Sequence, residues 1–402
     1  MVAFPVSPTP QTPCLVLDLA TVRRLGVVVT VTLTLIFATS TGSSSQLPAK
    51  RLATRTAAWR SNGTAATTSA TVPSRRSTGP TIVAKGIFYD LVSDGSDLLA
   101  ARLPSPGDAT GRSFVVRVDP ANGRRLAMSP ALYNVQDLVV VASRVWVIAT
   151  AGWRLERFEL LQLDVHDLRP MTRVSLNAPV PSLVGWADLL WLAEGCDLER
   201  LDPANGATLV RDRFSSADCV EEGVGYTLAI SVEGNYLIAA PEPGDGALMV
   251  LDAHSGRVLR RRPNLAGGEF VSLVAADGYL WVLNGSAGLQ TPLNIYRLPG
   301  LQLVKTMAPR SLSCSTPQVF SGCPGWIEYL DGVIWGGGGL IGCANPKTLS
   351  VDATMQGSGF TDLVTVGGRT YGIWPPDPNN PSNATDIVRF TPPAACGAIA
   401  RG

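Results

Sequence analysis

Histidine is scarce in this 402-residue chain, which contains only His166 and His254. A serine hydrolase needs a general base beside its nucleophile, and that base is usually histidine. Zinc sites need closely spaced cysteine or histidine ligands. Both histidines lie in or beside predicted turns, and no two cysteines stand at metal-ligand spacing. The sequence therefore predicts neither a Ser-His-Asp hydrolase nor a zinc protein.

Charged residues are also few. They make up 16% of the chain, with 33 Lys and Arg against 32 Asp and Glu, and the formal net charge is +1. Binding of nucleic acid needs a concentrated positive face, so the composition disfavours a nucleic-acid partner. The 46% of hydrophobic residues is typical of sheets that are covered on both faces.

No apolar run is long enough to cross a bilayer comfortably. The N-terminal run from Leu25 to Ala38 follows Arg23 and Arg24; it is shorter than the roughly 20 residues of a membrane-spanning helix but suits the core of an export signal. We predict an export signal or uncleaved membrane anchor over 1–40, a disordered Ser/Thr/Ala-rich linker over 41–79 and a folded domain over 80–396. The protein is then extracytoplasmic, either secreted or membrane-anchored.

Cysteine usage agrees with export, because the folded part holds an even number of cysteines, which favours disulfides in an oxidising compartment. Six cysteines allow fifteen pairings. We predict that Cys196 bonds to Cys219 and that the other four pair among themselves. The six are Cys196, Cys219, Cys314, Cys323, Cys343 and Cys396.

One strand pattern recurs along the folded part, mostly 45 residues apart. Each copy starts with a short apolar strand. A second apolar strand follows it within the same copy and is usually centred on an aromatic residue. A repeat of this length built only of short strands is typical of a β-propeller, with one four-stranded blade per repeat. We predict an all-β, seven-bladed β-propeller. The first strands begin at Asp90, Asp137, Ser182, Thr227, Ser272, Ile327 and Asp362.

The corner between the third and fourth strands has its own repeat. It reads Asp-Pro-Ala-Asn-Gly at 119–123 and 202–206, and Asp-Ala-His-Ser-Gly at 252–256. Asp caps the turn, Pro presets φ and Gly accepts the left-handed conformation that returns the chain as an antiparallel strand. His254 is therefore predicted to be a turn residue.

The last repeat shows only three strands before the chain almost ends. An open ring would expose sheet edges to strand pairing. We predict that Pro80 to Ala84 supplies the missing fourth strand, so that the start of the domain completes its last blade.

These corners resemble the repeat of the YVTN and PQQ-like β-propeller superfamily over roughly residues 85–391. The resemblance implies a propeller fold and is nearly silent on activity. Quinoprotein dehydrogenases of that superfamily usually carry Trp after the corner Gly and a vicinal cysteine pair beside the cofactor. Here Arg124, Ala207 and Arg257 follow the corner glycines and no Cys-Cys occurs, so we predict no quinone cofactor. Propeller lyases and lactonases that work through histidine or a clustered metal site are disfavoured as well.

Ligands of propellers meet the face formed by loops between second and third strands and between successive blades. On this face we predict a concave acidic and aromatic surface for a cation, a sugar or a basic peptide; the alternative is that exposed loops carry charge for solubility. The candidate ligand-binding residues are Trp153, Arg154, Glu194, Asp197, Glu242, Glu269, Trp326, Glu328 and Trp374.

Asp90, Asp137 and Asp362 form a sharper candidate. Each opens the first strand of its repeat, and ring closure makes the three repeats neighbours. The carboxylates could share a divalent cation such as Ca²⁺, which takes oxygen ligands. Alternatively, each Asp accepts hydrogen bonds from backbone N–H groups in the preceding loop, as the Ser and Thr at equivalent positions could.

The function predicted from the sequence is an exported, non-enzymatic binding or scaffold module at the cell surface. It needs no cofactor, and its ligand is a protein, a peptide or a glycan. The alternative is a metal-dependent hydrolase or lyase that uses the channel-mouth carboxylates. A third possibility is a sensor domain tethered by an uncleaved apolar segment.

Overall fold

The computed structural model of the chain describes residues 80–104, 112–152, 157–176, 182–214, 227–242, 247–263, 269–285, 293–307, 326–337, 340–356, 361–374 and 385–400. Residues Gly79–Gly402 belong to one compact unit. The predicted export signal and linker lie outside the described residues.

The described residues form β-strands and one short helix. Strand β1 (Thr81–Ala84) comes first, and the strands after it group by pairing into seven units, in which successive strands are antiparallel neighbours. Unit 1 is β2 (Phe88–Ser93), β3 (Leu98–Arg102), β4 (Arg112–Val118) and β5 (Arg125–Met128); unit 2 is β6 (Leu132–Val141), β7 (Arg144–Thr150), β8 (Phe158–Asp164) and β9 (Pro170–Leu176). Unit 3 is β10 (Ser182–Trp186), β11 (Leu189–Glu194), β12 (Asp197–Leu201) and β13 (Thr208–Arg213); unit 4 is β14 (Thr227–Glu233), β15 (Tyr236–Glu242), β16 (Leu248–Asp252) and β17 (Val258–Arg262). Unit 5 is β18 (Glu269–Ala276), β19 (Tyr279–Gly285), β20 (Leu293–Arg297) and β21 (Gln302–Met307); unit 6 is β22 (Trp326–Leu330), β23 (Val333–Gly337), β24 (Leu340–Asn345) and β25 (Ser350–Gln356). Unit 7 contains β26 (Thr361–Val366), β27 (Arg369–Trp374) and β28 (Asp386–Phe390), and the helix α1 (Ala394–Ala400) follows it.

Strand β1 pairs antiparallel with β28, with Thr81 opposite Arg389 and Ile82 opposite Val388. The prediction that the start of the domain supplies the fourth strand of the last unit is therefore confirmed. The corner glycine Gly123 packs closely against the backbone of β1. A Cβ on Gly123 would lie 1.8 Å from the carbonyl oxygen of Val83. Only glycine fits there, because no side-chain atom can approach a backbone oxygen so closely.

Units 1 and 2 share one sheet, because a short pairing of β4 with β6 joins them at Arg112–Tyr133 and Ser113–Leu132. The other units are separate four-stranded sheets. Inside a unit the second strand is deeply buried, as in β7 and β11, whereas outer strands such as β5 and β17 are mostly exposed. This gradient explains the apolar runs in the sequence, since inner strands are covered on both faces.

The units pack face to face. The first strands contact one another in the order β2, β6, β10, β14, β18, β22, β26 and back to β2. A separate buried apolar cluster lies between each unit and the next, including one between unit 7 and unit 1. Sheets stacked in this way about an axis make a β-propeller. The chain has that fold.

The corners have the predicted turn geometry. The Asp119 carboxylate accepts the N–H of Ala121 at 2.8 Å, and Asp202 does the same for Ala204. The glycine that ends each of these corners has positive φ. His254 is exposed in the third corner, beside Asp252, as expected of a turn residue.

The aromatic residue of the second strand reaches the corner of the following unit. The indole N–H of Trp146 donates to the carbonyl oxygen of Pro203 at 3.3 Å, and that of Trp191 donates to Ala253 at 2.9 Å. The Tyr371 hydroxyl donates to Pro120 at 3.2 Å and so links unit 7 to unit 1. The second-strand aromatic residue and the corner turn are separate features in the sequence. In the structure they form one contact between neighbouring units.

The helix α1 contacts β23, β24 and β25 of unit 6. A disulfide between Cys343 and Cys396 holds it there, which agrees with the prediction that these cysteines pair within the C-terminal set. Cys196 is also disulfide-bonded, while Cys219, Cys314 and Cys323 lie outside the described residues. In the described part of the chain, no helix has the length and apolar character needed to span a membrane.

Candidate functional site

Four carboxylates gather on first strands at one side of the cycle. Asp90 lies on β2, Asp137 on β6, Asp362 on β26 and Glu328 on β22. All four side chains are half-buried. Units 6, 7, 1 and 2 follow one another in the cycle of strand contacts, so these residues belong to four consecutive first strands.

Two of the carboxylates bridge to the next unit. The Oδ2 atom of Asp137 accepts the N–H of Leu183 at 2.8 Å, and the Oε2 atom of Glu328 accepts the N–H of Leu363 at 2.9 Å. Ser272 plays the same part between units 5 and 6, because its hydroxyl accepts the N–H of Ile327 at 3.2 Å. These bonds resemble the structural alternative raised from the sequence, but the donor lies in the following unit rather than in a preceding loop.

The carboxylates repel one another. Withdrawal of the carboxyl group from water, then the charges of Asp362 and Asp137, raise the pKa of Asp90 well above its ordinary value. Burial and the charge of Asp137 raise the pKa of Asp362 to about 7. For Glu328, burial outweighs the hydrogen bond from Leu363 and raises the pKa to about 8. Near neutral pH the group therefore holds protons that free carboxylates would have lost.

Such a cluster can bind protons and attract cations. Among the described residues, however, no three His, Cys, Asp or Glu side chains are arranged to hold a metal ion. Calcium binding by Asp90, Asp137 and Asp362 remains a prediction.

The sequence predicts Glu328 among the ligand-binding residues of the loop face and not with the aspartates. The strand register explains the difference: Glu328 pairs with Trp335, just as Val139 pairs with Trp146. Glu328 thus occupies the position of Val139, two residues after Asp137, and side chains two apart share a face of a strand. Aligning the repeats on the aromatic residue of the second strand would have revealed this.

The other predicted ligand-binding residues that the structure describes lie at matching strand ends. Glu194, Glu242 and Trp374 end second strands. Glu269 and Trp326 begin the first strands of their units, which is the same end of an antiparallel pair. Trp153 and Arg154 lie outside the described residues.

Asp197 differs from the rest of this set because its charge is already matched. It lies opposite Glu194 across the turn between β11 and β12. Its carboxylate forms ion pairs with Arg211 at 3.4 Å and with Arg213 at 3.7 Å. Two outer-strand arginines thus neutralise it, which weakens its attraction for a cationic ligand.

No protein-family model matches the sequence, and no curated protein is significantly similar to it. Among solved structures, BamB from Moraxella catarrhalis is similar at 13% identity and a TM-score of 0.48, over 77% of this chain and 85% of that one. The WD40 β-propeller domain of Doa1 is similar at 11% identity and a TM-score of 0.49, over 77% of this chain and 97% of that one. The Pan2 WD40 domain of Neurospora crassa is similar at 11% identity and a TM-score of 0.49, over 78% of this chain and 91% of that one. Likenesses this distant say nothing about activity, and the fold follows from the strand pairing described above.

The carboxylate group makes stability depend on pH. Folding raises the pKa of Asp362 from 3.8 to about 7 and that of Glu328 from 4.5 to about 8. In the pH window between the ordinary and the raised values, the folded chain holds protons that the unfolded chain has lost. Stability should therefore fall as the pH rises through that window and level off above about 8. In a double variant with Asp362→Asn and Glu328→Gln the fall should be smaller, and at pH 8 the Tm should exceed that of the wild type by about 2 °C or more. Thermal melts at pH 5 and pH 8 measure both effects.

The exposed Asp188, in the turn after β10, provides the matched control. Asp188→Asn should leave the pH profile unchanged, and identical profiles for all three proteins would contradict the expectation. Added Ca²⁺ at pH 8 tests the calcium prediction in the same melts. Binding should raise the Tm of the wild type but not that of the double variant, and an unchanged wild-type Tm would refute calcium binding.

Proposed function

We propose that the chain is an exported, seven-bladed β-propeller that acts as a binding or scaffold module at the cell surface. The closed ring is supported by the cycle of first-strand contacts and by the pairing of β1 with β28. The observation that carries the binding role is the common position of acidic and aromatic strand-end residues, including Glu194 and Trp374. A rigid ring that presents side chains from successive blades at one end offers a broad surface for a protein, peptide or glycan ligand.

Export is supported by two features of the chain. Arg23 and Arg24 precede an apolar run of signal-peptide length, and the Cys343–Cys396 disulfide is typical of proteins that fold in oxidising compartments. The protein would reach the extracytoplasmic space, either secreted or held by an uncleaved N-terminal anchor.

Site-specific photo-crosslinking in cells tests the binding role. A photoreactive residue in place of Glu194 or Trp374 should capture one defined partner. The same residue at Asp188 or Asp277, in exposed turns at the opposite strand ends, should not capture it. Adducts from both ends alike, or from neither, would argue against a binding face at the strand ends. Reduced cysteines and a cytoplasmic location of the chain would refute export separately.

A metal-dependent hydrolase or lyase is the second candidate. The mutual repulsion of Asp90, Asp137 and Asp362 favours it, because a bound divalent cation would relieve that repulsion. The calcium melts described above decide whether this candidate has a site.

A further inference from the structure

The outer strands share a β-bulge that exposes an apolar side chain. In β5 the register with β4 shifts between Arg125 and Ala127, so Leu126 has no opposite residue. The bulged residues at the same place in β9, β13, β17 and β21 are Met171, Leu209, Leu259 and Val304. All five bulged side chains are at least 37% exposed. Because a bulge interrupts the hydrogen-bonding edge of a strand, these strands present side chains to a partner and not a flat edge for strand addition.

Two outer strands come together where the last unit meets the first. Gly123, in the corner before β5, packs against the carbonyl group of Val83 in β1. Val83 also packs on the apolar cluster between units 7 and 1. Near this contact are three large apolar side chains, each 41% exposed: Ile82, Leu126 and Met128. The junction therefore exposes apolar side chains from two strands of neighbouring units.

Basic side chains accompany these apolar residues. Lys85 directly follows β1, Arg124 directly precedes β5 and Arg125 begins it, and all three are exposed. The Nη1 atom of Arg125 lies 3.5 Å from the Met128 sulfur, so charged and apolar groups are interleaved. The carboxylate of Asp119, in the same corner, accepts hydrogen bonds from its own turn. The closure face, as we name this surface, consists of Ile82, Lys85, Arg124, Arg125, Leu126 and Met128.

The sequence that leads into the closure face is basic as well. No Asp or Glu occurs between Asp18 and Asp90, and this stretch includes Arg75, Arg76 and Lys85. Positive charge on the closure face is therefore continuous along the chain with that of the preceding residues. A negatively charged surface that attracts one attracts the other.

We propose that the closure face binds the surface of a membrane that contains anionic phospholipids. Each Lys or Arg near such a surface strengthens binding about fivefold. The apolar side chains enter the boundary between headgroups and acyl chains, while the long basic side chains reach the headgroups.

An acidic protein would match the same charges. However, the bulged edge of β5 gives a protein segment no regular strand to pair with, whereas a fluid lipid surface adapts to an uneven contour. The exposed apolar side chains on two strands therefore favour the membrane. This contact goes beyond the binding role proposed above, which uses the strand ends, and it can fail without affecting that role.

Photo-crosslinking of the purified full chain to vesicles tests the proposal. A photoreactive residue replaces Leu126, and the matched control replaces Leu209, the bulged residue of β13, which is 53% exposed. With vesicles of phosphatidylcholine and phosphatidylglycerol, the Leu126 position should form at least about fivefold more lipid adducts than the Leu209 position. The adducts should decrease at high salt and with vesicles of phosphatidylcholine alone. Equal yields at the two positions, or no adducts at Leu126, would overturn the proposal.

Two double variants, each carrying the photoreactive residue at Leu126, locate the charge. Arg124→Gln with Arg125→Gln should lower the adduct yield about tenfold or more. Arg169→Gln with Arg173→Gln changes the net charge equally but affects arginines that pair with Asp167 and Glu159, and the yield should stay the same. Unchanged melting temperatures confirm that each variant folds. Equal losses in both variants would mean that net charge, and not the closure face, drives the contact.

Labelled polyglutamate tests the acidic-protein alternative with the same photoreactive chain. If the Leu126 position captures polyglutamate but not lipid, the closure face binds an acidic protein and the membrane proposal fails. The strand-end crosslinks in cells are measured independently, so their success beside this failure would leave the general binding role standing.

Discussion

Replacing Trp191 with alanine is expected to lower the free energy of unfolding by about 3–5 kcal/mol. The side chain is fully buried between units 3 and 4, so its removal leaves a large cavity. It also leaves the carbonyl oxygen of Ala253, its acceptor at 2.9 Å, without its partner, which adds to the cost. Urea unfolding followed by circular dichroism measures the change, and the midpoint should fall without a large change in m-value.

Two matched variants separate the contributions. Trp191→Phe keeps most of the ring but loses the N–H donor, and we expect a loss of about 1–3 kcal/mol. Trp186, at 42% exposure, is the surface control, and Trp186→Ala should change stability by less than about 0.5 kcal/mol. If Trp191→Ala were no worse than Trp186→Ala, the contact between second strand and corner would not stabilise the packing of the units.

Removing the Cys343–Cys396 disulfide is expected to cost about 4 kcal/mol. The bond closes a loop with a sequence separation of 53, and restriction of the unfolded chain by a loop of that size accounts for a figure of this order. It also fixes α1 against unit 6. The double variant Cys343→Ala with Cys396→Ala, compared with the wild type in urea, measures the loss.

A double variant is preferable to chemical reduction, because Cys196 is disulfide-bonded as well and a reductant would act on both bonds. Both cysteines of the helix disulfide are buried, so the substitution also removes some packing. Cys396→Ala alone, which breaks the bond but keeps the Cys343 side chain, bounds that contribution. Unfolding of the double variant at the wild-type urea concentration would show that the bond does not stabilise the fold.

Features set by local sequence were predictable. The corner turns follow from Asp, Pro and Gly at fixed positions. Asp-Gly is a dipeptide typical of tight hairpins, and Asp277-Gly278 joins β18 to β19. The closing strand β1 could be predicted as well, because unit 7 visibly lacked a fourth strand. Each of these depends on a few neighbouring residues or on a count of strands.

Features set by the register between units were not predictable in the same way. The position of Glu328 beside the aspartates depends on which residue faces Trp335, and one step of misalignment moves a side chain to the other face of its strand. The bonds from Trp146 and Trp191 to the next corner join residues more than fifty positions apart. Helix α1 was not predicted either. It has only seven residues and follows two prolines, so its sequence gives little helical signal. Its position depends on the disulfide and on packing against unit 6.

The pairing of β1 with β28 has a consequence for how the chain is made. Thr81 is synthesised before all seven units, whereas its partner Arg389 is synthesised only after the first six. Strand β1 therefore has no partner strand while the intervening units are synthesised. Folding of the earlier units can begin during translation, but the last sheet is completed only after β28 has been synthesised.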